Sequence, residues 1–209
     1  MIALSIIVWS CNNAGDNSTT TDSSGHVTID SNAGNRTQDT GSSNTTNTTP
    51  MPVQADAAST AFLPKAADGG MAEVQQGQVA QQKGTNDAVK NFGSMMVRDH
   101  SAANDQLKAL ATRRNITLPD SLGSKNKKML DDLNKKSTRE FDKAYINAMV
   151  KDHQEDIKEF EEAEKKVTDT EVKSFITNTL PTLKMHLDSA KAIQKRQNTA
   201  DQDHWYMDI

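Results

Sequence analysis

Two copies of one pattern carry the residues best suited to chemistry: Met96-Val97-Arg98-Asp99-His100 and Met149-Val150-Lys151-Asp152-His153, each a basic and an acidic residue followed by an imidazole. A third histidine, His186, and one glutamate, Glu73, occupy inner positions in two further stretches of helical periodicity. Imidazole nitrogens and a carboxylate oxygen make a donor set for first-row transition ions, so Glu73, His100, His153 and His186 are a candidate site for Zn, Cu, Mn or Fe. Asp99, Asp152 and Asp156 are candidates to orient the rings, each accepting a hydrogen bond from the ring nitrogen that does not face the ion. A second reading needs no metal. In it each histidine is a core polar group, paired with an acid or a backbone carbonyl, that fixes the register of the helices around it.

Four long helices must bring these residues together. Apolar residues recur every three or four positions over 56–83 (Phe62, Ala66, Gly70, Gly77 and Ala80 on the face of Glu73) and over 86–114 (Val89, Phe92, Met96, Leu107 and Leu110 with His100). Asn115 is a plausible left-handed stop. The connection 116–137 is too long for a tight hairpin and holds a short helical stretch around 125–135. Ser137 followed by Glu140 has capping-box spacing and opens a third long helix, reaching about Val167, with Phe141, Tyr145, Met149, Ile157 and Phe160 beside His153. Thr168 and Glu171 repeat that spacing before a fourth helix, with Val172, Phe175, Ile176, Leu183 and Ile193 beside His186. Pro64 predicts a kink or late start in the first helix, and Pro181 a bend in the fourth.

The turns set the level of each candidate ligand. Glu73 lies twelve residues before the turn at Thr85 and His100 fifteen after it; His153 lies fifteen before the turn at Thr168 and His186 eighteen after it. Each difference of three residues is only about 4.5 Å along a helix axis. All four side chains can therefore share one level of a bundle.

Composition agrees with an all-α chain and excludes several functions. Aromatics make up only 4% and hydrophobic residues 34%, too few for a typical sheet-containing enzyme. Lys and Arg alternate with Asp and Glu along the helices and the net charge is −4, which excludes a phosphate-binding stripe and hence nucleic acid as a partner. No Ser-His-acid constellation is suggested by spacing, and Gly69-Gly70 lies within a helical pattern, not in a phosphate loop. The abundant methionines, among them Met96, Met149 and Met185, are expected to fill the core.

The single cysteine, Cys11, ends the apolar run 2–10, which is too short to span a bilayer and has the character of an export signal. Val8 and Ser10, at the third and first positions before Cys11, suit bacterial lipoprotein processing; Trp9 between them is an unusual occupant. The alternative is an apolar N-terminus with a free thiol. Residues 12–54 are mostly Ser, Thr, Asn, Asp and Gly, a composition that cannot bury a core and is expected to be a disordered tether. The organisation expected is thus 1–11 signal and lipobox-like segment, 12–54 tether, 55–197 helical bundle and 198–209 tail.

The runs Ala66-Ala67-Asp68-Gly69-Gly70-Met71-Ala72-Glu73-Val74, Met96-Val97-Arg98-Asp99-His100-Ser101, Ile116-Thr117-Leu118-Pro119 and Thr179-Leu180-Pro181-Thr182-Leu183-Lys184-Met185-His186-Leu187 resemble the bacterial domain of unknown function 4142 family. The resemblance implies a ferritin-like four-helix bundle, made of two long hairpins and a crossover, in an exported or envelope-associated protein. It implies no activity. The ferritin-like di-iron pattern places Glu three residues before each ligand histidine, whereas here Val97, Val150 and Leu183 stand at those positions.

Two functions follow as expectations. The first is a lipid-anchored or exported envelope protein, at the outer membrane or in the periplasm, whose partner is the membrane through Cys11 and which acts as a binding or structural module without catalysis of its own. The second is a transition-metal-binding protein of redox or stress type, using Glu73, His100, His153 and His186.

Overall fold

A computed structural model describes residues 55–207, with side chains through residue 199. The lipobox-like segment, Cys11 and the polar stretch 12–54 lie outside the described residues. The described chain is all helical: α1 (Ala57–Lys83), α2 (Asp87–Arg113), α3 (Ser124–Asn134), α4 (Thr138–Lys166) and α5 (Thr170–Met207). Helix α1 pairs with α2 and α4 with α5 as two hairpins. Laterally α1 lies against α4 and α2 against α5, while the short crossover helix α3 rests on α1 and α4. Helix α5 continues to Met207, past the boundary expected at residue 197.

Most helix ends follow local chemistry. At the end of α2, Asn115 takes the left-handed conformation (φ 52°), with Asn115 N–H bonded to the Thr112 carbonyl and Ile116 N–H to the Ala111 carbonyl. This pattern satisfies carbonyls that the last turn would leave bare. At the start of α4 the Glu140 carboxylate accepts from the backbone N–H and hydroxyl of Ser137, at 3.4 and 2.7 Å. Pro64 sits inside α1, which begins at Ala57 without delay. The start of α5 differs from expectation: Asp169, not Thr168, caps it, its carboxylate accepting from Glu171 and Val172 N–H at 2.9 and 3.1 Å. A carboxylate with two accepted bonds is the stronger cap, and the Thr168 hydroxyl is already engaged by Asp56.

Two aspartates tie the hairpins to each other reciprocally. Asp56, the cap of α1, accepts from Ser59 N–H at 2.8 Å and also from the N–H groups of Thr168 and Asp169 in the α4–α5 turn, at 3.0 and 2.8 Å. Asp142, early in α4, accepts from Thr85 N–H, Thr85 hydroxyl and Asn86 N–H in the α1–α2 turn, at 3.0, 2.6 and 2.8 Å. Each hairpin thus fixes the turn of the other, which holds the helices at a defined axial level. Replacing Asp142 with Ala leaves these donors unpaired and is expected to cost roughly 2–3 kcal/mol, read as a lower urea midpoint. A midpoint equal to that of wild type would show that the turn is held by other contacts.

Small residues let α1 and α2 come close. A Cβ on Gly77 would lie 2.7 Å from the Gly93 carbonyl, and one on Gly93 would lie 2.7 Å from the Gly77 carbonyl, so backbone meets backbone at this crossing.

The apolar core is divided in two. One cluster holds Phe62, Leu63, Leu107, Leu110, Phe160, Phe175, Ile176 and Leu183; the other holds Val89, Phe92, Met96, Phe141, Tyr145, Met149, Ala190 and Ile193. On each long helix one candidate ligand falls between the stretches that feed the two clusters: Glu73, His100, His153 and His186. The bundle therefore carries a polar layer between two apolar ones. Met96 and Met149 are core residues as expected, but Met185 is 45% exposed, because the inward position beside it belongs to His186.

Candidate metal centre

Each of the four long helices delivers one side chain to the polar layer. Glu73 is 2% exposed, His100 6%, and His153 and His186 are fully buried. His100 Nδ1 lies 2.7 Å from Glu73 Oε2, His153 Nε2 lies 3.4 Å from Glu73 Oε1, and His153 Nε2 lies 3.4 Å from His186 Nδ1. One ring nitrogen from each of His100, His153 and His186 falls within 4.8 Å of the others. A second donor set, Glu73, His153 and Asp156, meets the same limit.

The outer partners decide where the ring protons are. His153 Nδ1 is 3.0 Å from the Met149 carbonyl, which can only accept, so Nδ1 carries the hydrogen and Nε2 a lone pair. His186 Nε2 is 2.9 Å from Asp99 Oδ2. Burial alone would raise the Asp99 carboxyl, but hydrogen bonds from Arg98 and His186 outweigh it and hold Asp99 below the usual carboxylate range. Asp99 is thus ionised, His186 Nε2–H donates to it, and His186 Nδ1 is left with a lone pair. The atoms 3.4 Å apart are therefore two acceptors, with no proton between them, and Glu73 Oε1 lies 3.4 Å from the His153 nitrogen.

A proton on the rings does not resolve this crowding. Burial depresses His153 to about 3, aided by His100 and His186, and burial lowers His100 to about 4 against the pull of Asp99 and Asp152. Burial also lowers His186. All three rings are neutral at pH 7. His100 Nε2 and Glu73 Oε1 are buried without a hydrogen-bond partner. Burial raises both Glu73 and Asp156 well above the usual carboxyl range, the charge of Asp152 adding to both. Each carboxyl also acts on the other, and His100 Nδ1 faces Glu73 Oε2 at 2.7 Å.

The four residues singled out by spacing are brought together. Asp99 orients a ring as expected, although it serves His186 on the facing helix and not its own neighbour His100. Among the described residues Asp152 accepts no hydrogen bond from an imidazole; burial raises its carboxyl, and the charge of Lys125 and that of His100 act against it. Asp156, expected only as an orienting acceptor, belongs to the donor set itself. Its spacing held the signal: Asp156 follows His153 by three residues, one helical turn on the same face, the reverse order of the absent Glu-x-x-His pattern.

These donors fit a transition cation. Three neutral imidazoles, two of them fixed by outer acceptors with their lone-pair nitrogens facing each other, and a carboxyl oxygen without a partner suit such an ion.

A family model described as Domain of unknown function (DUF4142) matches residues 44–193. Among solved structures the chain is similar to the crystal structure of a DUF305 fragment from Deinococcus radiodurans, with a TM-score of 0.61 and 10% identity over 68% of this chain and 99% of that one. At that identity the likeness shows the fold alone. No curated protein matches the sequence.

Proposed function

The chain belongs to the DUF4142 family, a domain of unknown function, and from its buried polar layer we propose that it binds one divalent transition ion through His100, His153, His186 and Glu73. The observation that carries this reading is the pair of lone-pair nitrogens, His153 Nε2 and His186 Nδ1, facing each other at 3.4 Å in a fully buried layer. Two acceptors at that distance repel, and a core polar network built for structure alone would place a hydrogen between them. A bound cation turns the same geometry from a cost into a set of bonds. Zn, Cu, Mn and Fe are the candidate ions, since imidazole and carboxylate suit each of them.

Protein purified natively without a histidine tag is expected to carry close to one equivalent of metal per chain by elemental analysis. The same measurement on the His100→Ala, His153→Ala double variant is expected to find none. Metal-free wild type that takes up none of the four ions on reconstitution would sink the proposal.

The Cys11 context supports a second element of the reading, a bundle held at the bacterial envelope by a lipid on Cys11 with residues 12–54 as spacer. No described helix is long and apolar enough to cross a membrane. Incorporation of a labelled fatty-acid precursor into wild type, and its loss in Cys11→Ser, is the test of that anchor.

A further inference from the structure

The two donor sets overlap at His153, and their placement relative to the surface differs. A cavity of about 30 Å³ penetrates between α1, α2, α4 and α5 and is lined by Glu73, His100, Asn104, Asp156 and Glu159 among others. Neither His153 nor His186 lines it, and both are fully buried. On the Asp99 side the layer is covered by the Arg98–Asp99 ion pair, at 2.7 Å, and the Asp99–His186 hydrogen bond. A cation arriving through the cavity therefore meets Asp156, Glu73 and the edge of His100 before it can reach His153 and His186.

Three features show that this approach is built for a ligand. Glu73 Oε1 and Asp156 Oδ2 are both buried and lack hydrogen-bond partners. Glycines keep α1 low beside the cavity: a Cβ on Gly70 would lie 2.2 Å from Asn104 Oδ1, so glycine there lets Asn104 occupy the cavity wall. His153 also has only one free nitrogen, because Nδ1–H is committed to the Met149 carbonyl. It can serve the set with Glu73 and Asp156 or the set with His100 and His186, but not two ions at once.

Resting on the metal-binding reading above, we propose that Glu73, His153 and Asp156 form a transit site for the incoming divalent transition cation. The ion enters through the cavity beside Gly69 and Gly70, binds the carboxylates with His153, and then passes to His100, His153 and His186. The transfer is ligand exchange without redox change: His100 and His186 nitrogens replace the Asp156 oxygen while His153 and Glu73 stay bound. Asp156 is a loading ligand, distinct from the residues that hold the ion at rest.

Stopped-flow loading of the metal-free full chain with Co(II), followed by its visible absorption, tests this. Wild type is expected to bind one ion in two phases, a first that speeds with Co(II) concentration and a second that does not. His186→Gln retains the first phase and loses the second. Asp156→Asn slows the first phase at least about tenfold, an added barrier of about 1.4 kcal/mol. Gly69→Leu leaves the three imidazoles untouched, its Cβ meeting only the loading ligand, at Asp156 Oδ1, 3.9 Å away; it narrows the cavity and slows loading and release together, leaving the Kd of the resting centre unchanged. Two ions bound at once, or loading rates in both Asp156→Asn and Gly69→Leu equal to wild type, would overturn the transit site while leaving the three-imidazole centre standing. Absence of any Co(II) binding by wild type would instead remove the centre itself.

Discussion

Metal-free wild type is expected to melt roughly 5–10 °C higher when the preferred ion is present at a hundred times its Kd. An ion that binds only the folded state stabilises by RT ln(1 + [L]/Kd), about 2.7 kcal/mol at that excess, and each kcal/mol moves a domain of this size by about 2–4 °C. The shift should be largest for the ion found by elemental analysis. His153→Gln removes the nitrogen shared by both donor sets and is expected to abolish the shift, even though the variant itself melts lower than wild type. A control at Met185, which is exposed beside His186, separates ligand loss from general disturbance: Met185→Gln should keep the full shift. Equal melting curves with and without Zn, Cu, Mn and Fe in wild type would leave the polar layer as a purely structural network.

The second large effect is acid lability of the metal-free protein, traceable to His153. Its folded value is about 3, against 6.5 for an ordinary imidazole, with burial as the main cause. Between those values the unfolded chain binds a proton at this ring and the fold does not, so stability falls as pH drops from 6.5 toward 3. His100, lowered to about 4, acts in the same direction. Glu73 and Asp156 act oppositely: their raised folded values give stability that is complete below the ordinary carboxyl range and is lost as pH rises through those folded values. The comparison that isolates the ring is therefore wild type against His153→Asn, both with a chelator, by urea denaturation from pH 7 to pH 3. Relative to the variant, wild type is expected to lose on the order of 4 kcal/mol across that window, at 1.36 kcal/mol per unit of displacement. Parallel stability curves for the two proteins would mean that His153 takes up its proton in the fold as readily as in the unfolded chain.

Much of the architecture was legible because it is written in local chemistry. The 3.6-residue recurrence of Phe92, Met96, His100 and Leu107, the Ser137–Glu140 box and the left-handed Asn115 each act within one or two helical turns, where sequence distance and spatial distance coincide. The level of the four ligands could be counted from the turns for the same reason. The cap of α5 was not legible, because the choice between Thr168 and Asp169 depends on Asp56, 112 residues away from Thr168 along the chain.

By itself the sequence determined an all-helical domain over the described residues, two hairpins of nearly equal arms and an imidazole or carboxylate at one height on each long helix. These follow from periodicity and from the fixed rise of the helix. Only the tertiary structure decided what those residues are to one another. Helix rotation set Asp99 against His186 on the facing helix, turned Asp156 toward Glu73, and aimed the free nitrogens of His153 and His186 at each other. Such relations depend on distances of a few ångströms between residues far apart in the chain, and on which atoms burial leaves without water. No spacing rule within a single helix contains that information.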